Sequence, residues 1–102
     1  MDTDNLIAHS RARFAYEAAK RTLREKYQGK MVFAYNGGMW RAGPELQTMI
    51  FTCGSDGVAF LPDLYENPIQ INTRDLMKLS QERWKEQMAA WHDEYEQLSK
   101  NR

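Results

Sequence analysis

The sequence has little cysteine, no long apolar run and no net charge, and each of these shortages excludes a class of protein. Cys53 is the single cysteine, so no disulfide forms within the chain and a reducing compartment is expected. No stretch approaches the roughly 20 apolar residues of a membrane-spanning helix, and the acidic start lacks the basic and apolar regions of a secretory signal. Fourteen basic residues balance fourteen acidic ones, which argues against a general binder of polyanions.

The length and composition are typical of one globular domain. Apolar residues make up 42% of the 102-residue chain and charged residues 27%. This is enough apolar surface for a modest core and too much for a wholly disordered chain. We therefore expect residues 1–102 to fold as a single domain.

Changes in residue pattern along the chain predict an α+β fold, with two long helices, two β-hairpins and a short helix between the hairpins. Helix-forming residues fill two long segments free of glycine and proline, and β-branched and aromatic runs flank turn-forming residues. The predicted elements are helix 5–27, a hairpin of 31–35 and 39–42, helix 45–52, a turn at 54–57, a hairpin of 58–61 and 69–71, and helix 73–99. The strand order, and whether the two hairpins share one sheet, stay open.

Local signals mark the ends of the predicted helices. We expect Asp4 or Asn5 to cap the first helix and Gly29 to end it, and Asn72 or Thr73 to cap the last one. The side chains predicted to point inward from the short helix are Leu46, Met49, Ile50 and Phe51.

The last predicted helix carries an apolar seam with the spacing of a coiled coil. The series runs in steps of four and three through Met77, Gln81, Trp84, Met88, Trp91, Tyr95 and Leu98. Such a helix is about 40 Å long, whereas a 100-residue domain has a radius of gyration of about 13 Å. We therefore expect it to overhang its own core and to need cover from the first helix, a second copy or another protein.

This seam is the candidate protein interface. Its interface residues are Met77, Trp84, Met88, Trp91, Tyr95 and Leu98. Large aromatic and methionine side chains are typical of binding surfaces, and the same stripe also suits packing on the first helix, so both alternatives stay open. The predicted partner is another protein or a second copy in a homo-oligomer, and no membrane contact is expected.

A second candidate surface combines the first helix with the aromatics of the hairpin that follows it. Seven basic residues fall between positions 11 and 30, and cations interleaved with aromatic rings suit single-stranded nucleic acid. The residues of this surface are Arg11, Arg13, Lys20, Arg21, Arg24, Tyr35 and Trp40. Nucleic-acid binding is the alternative prediction, because the zero net charge counts against it.

The balanced total conceals two halves of opposite charge. Residues 1–43 carry eight basic and four acidic residues, whereas residues 44–102 carry six basic and ten acidic ones. Opposite charges attract within one chain or between two copies, and solvated helix surfaces carry similar runs, so the pattern alone does not select among these.

No combination of residues predicts catalysis. His92 and Glu96 lie one helical turn apart, but two ligands are too few for a zinc site. Cys53 lacks the surroundings of a reactive cysteine and is expected to be buried. The Asn-Gly-Gly sequence at 36–38 has strand patterns on both sides, as in a hairpin turn and unlike a phosphate-binding loop. We therefore expect a protein that is not an enzyme, with no cofactor and no bound metal.

Several short blocks across the chain carry a resemblance to a known group of proteins. They are KMVFAYNGGMW at residues 30–40, PEL at 44–46, YENPI at 65–69, ERW at 82–84 and WHDEY at 91–95. In these blocks the chain resembles small conserved proteins of T4-like tailed phages, especially marine ones. The resemblance implies a setting in the host cytoplasm or the virion, and it implies no activity and no catalytic residue. The sequence thus predicts a phage accessory or assembly protein that acts as an interaction module through its last helix.

Overall fold

The computed structural model describes residues 3–54 and 57–100, and these residues form the predicted α+β fold. In chain order the elements are α1 (Thr3–Lys30), β1 (Val32–Tyr35), β2 (Gly38–Arg41), α2 (Pro44–Thr52), β3 (Val58–Pro62), β4 (Pro68–Asn72) and α3 (Thr73–Lys100). The predicted order of two long helices around two hairpins and a short helix is confirmed. Residues 55 and 56 of the predicted turn at 54–57 lie outside the described residues.

Helix α1 is longer at both ends than the sequence predicts. It begins at Thr3, so Asp4 and Asn5 lie inside its first turn and neither is the cap. The predicted stop at Gly29 is also wrong, because the N–H of Met31 still donates to the carbonyl of Tyr27, 3.1 Å away, and the helical hydrogen bonding continues past the glycine. A glycine inside a helix costs about 1 kcal/mol without ending it.

The starts of α2 and α3 follow their sequence signals. Pro44 is the first residue of α2. An N–H at this position has no partner within the helix, so a proline there loses no hydrogen bond. The side chain of Asn72 caps α3, since its Oδ1 accepts hydrogen bonds from the N–H groups of Arg74 and Asp75 at 3.0 and 3.1 Å. The first hairpin turns at Asn36 and Gly37, whose φ angles of 51° and 84° fit the predicted tight turn.

Helix α2 buries one face only. Leu46 and Ile50, one turn apart, are buried, and Met49 packs beside them against the core. Phe51, which we expected to point inward, is 83% exposed. It follows Ile50 by about 100° of helical rotation, which turns its ring to the outer face.

The two hairpins form separate two-stranded antiparallel sheets, β1 with β2 and β3 with β4. Asp63, in the loop between β3 and β4, bridges them. One carboxylate oxygen accepts a bond from the N–H of Met39 on β2 at 3.1 Å, and the other accepts bonds from Tyr65 and Asn67 at 3.0 and 2.9 Å. The N–H of Leu64 also donates to the carbonyl of Met39 at 2.9 Å. The Asp63 carboxylate and this backbone hydrogen bond together hold the loop between β3 and β4 against the first hairpin.

The core lies where the hairpins, α2 and the first half of α3 meet. Its buried members are Met31, Phe33, Trp40, Ala42, Leu46, Ile50, Leu61, Ile71 and Leu76. Trp40 is 1% exposed and Leu76 is fully buried. Burial of large side chains such as these is the main stabilising contribution to a domain of this size.

Helices α1 and α3 pack antiparallel and give the molecule an elongated shape. The Oη of Tyr16 lies 3.4 Å from the Oγ of Ser99, and α3 ends one residue later. Every residue of α1 from Thr3 to Ala15 is exposed. The molecule measures 65 × 24 × 21 Å with a radius of gyration of 19.3 Å, against about 13 Å for a compact domain of 100 residues.

Helix α3 extends beyond the core as expected, and the first helix, one of the three predicted partners, covers the extension; α1 in turn extends beyond α3. The first helix covers the second half of α3, and the end of α1 that extends beyond α3 is left uncovered. We call residues 3–15 the arm. None of the helices within the described residues is long and apolar enough to cross a membrane.

Candidate functional site

A groove with an aromatic lining runs along the α1–α3 pair. It encloses about 490 Å³ between residues 17–24 of α1 and residues 88–95 of α3. The residues that line this aromatic groove are Glu17, Lys20, Arg21, Arg24, Met88, Trp91, His92 and Tyr95. Apolar side chains come from α3 and cations from α1, so the two helices contribute different chemistry.

The floor of the aromatic groove is fixed by a ring contact across the helix pair. Trp91 stacks on Tyr27 with their ring centroids 6.0 Å apart and their planes 5° from parallel. Tyr27 is buried and Trp91 is half-buried, so the indole is held on one side while the other side lines the groove. Tyr95, one turn further on, is 39% exposed.

The rim of the groove is cationic. Lys20 pairs with Glu17 at 3.2 Å, and both side chains are about half exposed. Among the residues that the structure describes, Arg21 and Arg24 have no acidic group within ion-pairing distance. Two guanidinium groups therefore border an aromatic floor and remain available to a ligand.

An ion pair joins the two helices beside the aromatic stack. The Nζ of Lys26 donates to the Oε1 of Glu94 at 2.8 Å. This hydrogen bond holds the pKa of Glu94 below its ordinary value and raises the pKa of Lys26, whereas loss of solvent raises the pKa of Tyr27. At this point, at least, the oppositely charged halves of the sequence meet within one chain.

The predicted protein interface is divided between the core and the groove. Met77, Trp84 and Met88 pack against the core cluster, and Leu98 borders a second concavity beside α1, of about 520 Å³. Only Trp91, Tyr95 and the side of Met88 away from the core face the aromatic groove. The seam divides because α3 changes neighbours along its length, from the hairpins and α2 to α1.

The predicted nucleic-acid surface is divided as well. Trp40 belongs to the core, where its Nε1 donates to the carbonyl of Tyr35 at 3.0 Å, and the hydroxyl of Tyr35 accepts a bond from the N–H of Asn72 at 3.2 Å. Neither ring is free to stack on a base, which corrects that part of the prediction. The predicted cations separate into Arg11 and Arg13 on the arm, and Lys20, Arg21 and Arg24 on the groove.

Three structurally important residues were missed in the sequence. Asp63 has three backbone N–H groups as partners, which hold the pKa of its carboxyl below the ordinary value, and its place before a turn was the available signal. Ser80 is fully buried in α3 although its side chain is polar. Tyr27 lies at the end of the predicted first helix, and nothing in the sequence pairs it with Trp91.

The other residues considered for catalysis or metal binding do not form a site within the described residues. The Nε2 of His92 lies 3.8 Å from Glu96, and both are exposed. No group of three or more potential metal ligands occurs within the described ranges. Cys53 is exposed at the end of α2, contrary to the expectation that it is buried.

Comparison with protein-family models, with curated proteins and with solved structures found no match to this chain. The function is therefore inferred from the geometry of the molecule.

Proposed function

We propose that the protein is a non-enzymatic protein-interaction module that holds an amphipathic helix of its partner in the aromatic groove. The observation that carries this proposal is the meeting of two residue sets that are distant in sequence. Trp91 and Tyr95 lie on α3, and Arg21 and Arg24 lie across from them on α1. Aromatic residues and arginine are the side chains most enriched where proteins bind each other.

The shape of the groove suits a helix. Two packed helices leave a groove into which a third helix fits, as in helical bundles and in helix-in-groove recognition. The lining spans eight residues of each helix, which is about 12 Å or two helical turns. Two turns present two or three apolar anchors, which match the exposed sides of Met88, Trp91 and Tyr95. Methionine adds an adaptable surface to the two rigid rings.

The charge of the groove favours an acidic partner segment. Lys20, Arg21 and Arg24 outnumber Glu17, and Lys20 already pairs with that carboxylate. The two arginines offer planar donors suited to carboxylates. A helix with an apolar face and an acidic end therefore meets both the floor and the rim.

The resemblance to proteins of T4-like tailed phages adds a proposed setting. We propose a phage accessory or assembly role in the host cytoplasm or the virion, with the groove as its docking surface. The proposed binding mode depends on the groove residues and stands independently of this setting.

Site-specific photo-cross-linking in intact producing cells tests the proposed function. The cross-linking residue replaces His92, which is exposed on the rim, or Glu86 as a control on the opposite side of α3. We expect a discrete protein adduct from position 92 only, and its loss when Arg21→Glu is added. No adduct, or equal adducts from both positions, overturns the proposal.

A specific observation also favours a second candidate, the binding of single-stranded nucleic acid. The groove places Lys20, Arg21 and Arg24 beside Trp91 and Tyr95, and cations beside aromatic rings are what single strands require. In the same experiment a cross-linked adduct that nuclease removes selects this candidate. Its affinity for a fluorescent oligonucleotide is then expected to fall steeply with added salt.

A further inference from the structure

The arm is a helix without cover. Its 13 residues are all exposed, and a free helix of that length is marginal in water. Phe14 is 73% exposed, and Leu6 and Ile7 are about half exposed. These three side chains border one concavity with Ser10 and Arg11, so the arm has an apolar face that residues 3–54 and 57–100 of its own chain leave exposed.

We propose that the arm of a second copy occupies the aromatic groove, and that each of two copies places its arm in the groove of the other. This inference rests on the proposed function, since it takes the groove as a site for a helix and names that helix. Leu6 and Ile7 on the apolar face of the arm cover Trp91 and Tyr95 of the other copy, and Phe14 lies between the two arms.

The dimensions of the chain allow this exchange. The arm is about 20 Å long, which exceeds the two turns of the groove. The middle of the arm is near residue 9 and the middle of the groove is near residue 20 of α1, so a two-fold axis close to residue 15 brings each arm to the other groove. The two α1 helices then run antiparallel. Each copy contributes both its arm and its groove to the two-fold contact, so the assembly stops at a dimer.

The charges select this antiparallel direction. Along α1 the groove begins at Glu17 and ends at Arg24, so an antiparallel arm brings Asp4 to the arginine end. It brings Arg13 to the other end, beside Glu17. A parallel arm would place arginine beside arginine. The opposite charges meet at the two ends of the arm, and Arg11 between them comes level with Lys20.

The test measures the mass of the full chain by light scattering behind a sizing column. We expect a mass of twice 12.0 kDa for the unchanged chain, and the mass of one chain for Ile7→Asp on the arm and for Tyr95→Glu in the groove. Phe60→Asp is the control, since Phe60 is 68% exposed on β3, away from both surfaces, and is expected to remain dimeric. Far-ultraviolet circular dichroism checks that each variant is folded.

A mixture of the two defective chains gives the decisive result. The Tyr95→Glu chain keeps an unchanged arm and the Ile7→Asp chain keeps an unchanged groove, so their equimolar mixture has one intact arm-in-groove contact and forms a mixed dimer. A dimer held only by contacts between the two arms would not be restored in this mixture. A dimer that persists in the Ile7→Asp chain, or a mixture that stays monomeric, overturns the inference.

The outcome also separates this inference from the proposed function. A monomer at the highest soluble concentration, together with a cross-link from position 92 to a foreign protein, overturns the exchange of arms and leaves the interaction module standing. A dimer that lacks any groove cross-link overturns both. A cross-link from position 92 to residues 3–15 of a second copy supports both.

Discussion

Tyr27 and Trp91 stack across the helix pair with their ring centroids 6.0 Å apart and their planes 5° from parallel. This contact gives one tryptophan two structural roles. The side against Tyr27 holds α3 on α1, and the other side lines the aromatic groove. The groove is therefore preformed by intrachain packing, which reduces the ordering that a partner has to impose.

Substitutions at Trp91 and Tyr95 are expected to separate folding from binding. Trp91→Ala removes the stack and lowers the free energy of unfolding by about 3 kcal/mol, the lower end for loss of a large aromatic, because the indole is only partly buried. Tyr95→Ala, at 39% exposure, changes it by less than about 1 kcal/mol and still weakens binding in the groove. Urea unfolding and the cross-linking yield measure the two effects. If Trp91→Ala and Tyr95→Ala lower the free energy of unfolding equally, Trp91 does not have the structural role assigned to it.

The path of α3 shows how far periodicity predicts a structure. The spacing from Met77 to Leu98 correctly predicted a long amphipathic helix, but the fully buried residues of its first half are Leu76 and Ser80. In that half the helix faces the hairpins and α2, and in the second half it faces α1. A heptad pattern describes packing against one partner along the whole helix. It therefore could not predict that the two halves of α3 contact different elements.

The sequence predicted residues on both sides of the aromatic groove but did not predict that the two sides meet. Tyr95 and Arg21 were each selected from local composition, but in different proposed surfaces. Their proximity depends on the antiparallel register of α1 and α3, which no local pattern encodes. Trp40 was misassigned because a strand of four residues does not indicate which face is buried when the sheet has only two strands.

Asp63 is expected to make the fold sensitive to acid. Its folded-state pKa lies below the ordinary value of 3.8 because backbone N–H groups of Asn67, Met39 and Tyr65 stabilise the carboxylate. The stabilisation is complete above that ordinary value and is lost as the pH falls through the folded-state pKa. Urea midpoints between about pH 6 and about pH 2 should therefore decline at the acid end.

The Asp63→Asn variant isolates this effect. An amide nitrogen cannot accept the hydrogen bond from Met39, so the variant has a lower free energy of unfolding than the unchanged chain near neutral pH. In acid the unchanged chain loses the stabilisation from its ionised carboxylate, so the difference between the two free energies becomes smaller. Glu94→Gln is the control, because the pKa of Glu94 is also lowered but by its exposed pair with Lys26. If the free energies of unfolding of Asp63→Asn and the unchanged chain differ by the same amount at every pH, Asp63 is not the source of the acid sensitivity.

Ser80→Ala is expected to stabilise the protein. Ser80 is fully buried, and its Oγ makes no hydrogen bond within the described part of the chain. Removing an unpaired buried hydroxyl and gaining helix propensity together raise the free energy of unfolding by about 1 kcal/mol. Thr22→Ala, at an exposed hydroxyl bonded to the carbonyl of Ala18, serves as the control for propensity. A loss of stability at position 80 would mean that the hydroxyl has a partner in solution.

Two glycine substitutions are expected to have opposite signs. Gly43 has a φ of 147°, and a Cβ there would lie 3.3 Å from Trp84, so Gly43→Ala lowers the free energy of unfolding by about 1–3 kcal/mol. Gly29 lies inside α1, and within the described chain no neighbouring atom lies within 4 Å of the place that a Cβ would take. Gly29→Ala therefore raises the free energy of unfolding by about 0.5–1 kcal/mol. Thermal unfolding of both variants measures the contrast. Equal effects would show that backbone conformation at Gly43 is not the cause.

Hydrogen exchange of the arm should depend on protein concentration. In a single copy the amides of residues 3–15 have no tertiary cover, so the helix opens with a free energy near zero and exchanges quickly. When a second copy holds the arm, opening requires dissociation, and exchange slows as the concentration rises above the dissociation constant. The amides around Leu76, in the core, provide the control and should be protected at every concentration. Fast exchange of the arm in a sample shown to be dimeric would place the dimer contact elsewhere. Protection that persists in Ile7→Asp monomers would mean that the arm is stable by itself.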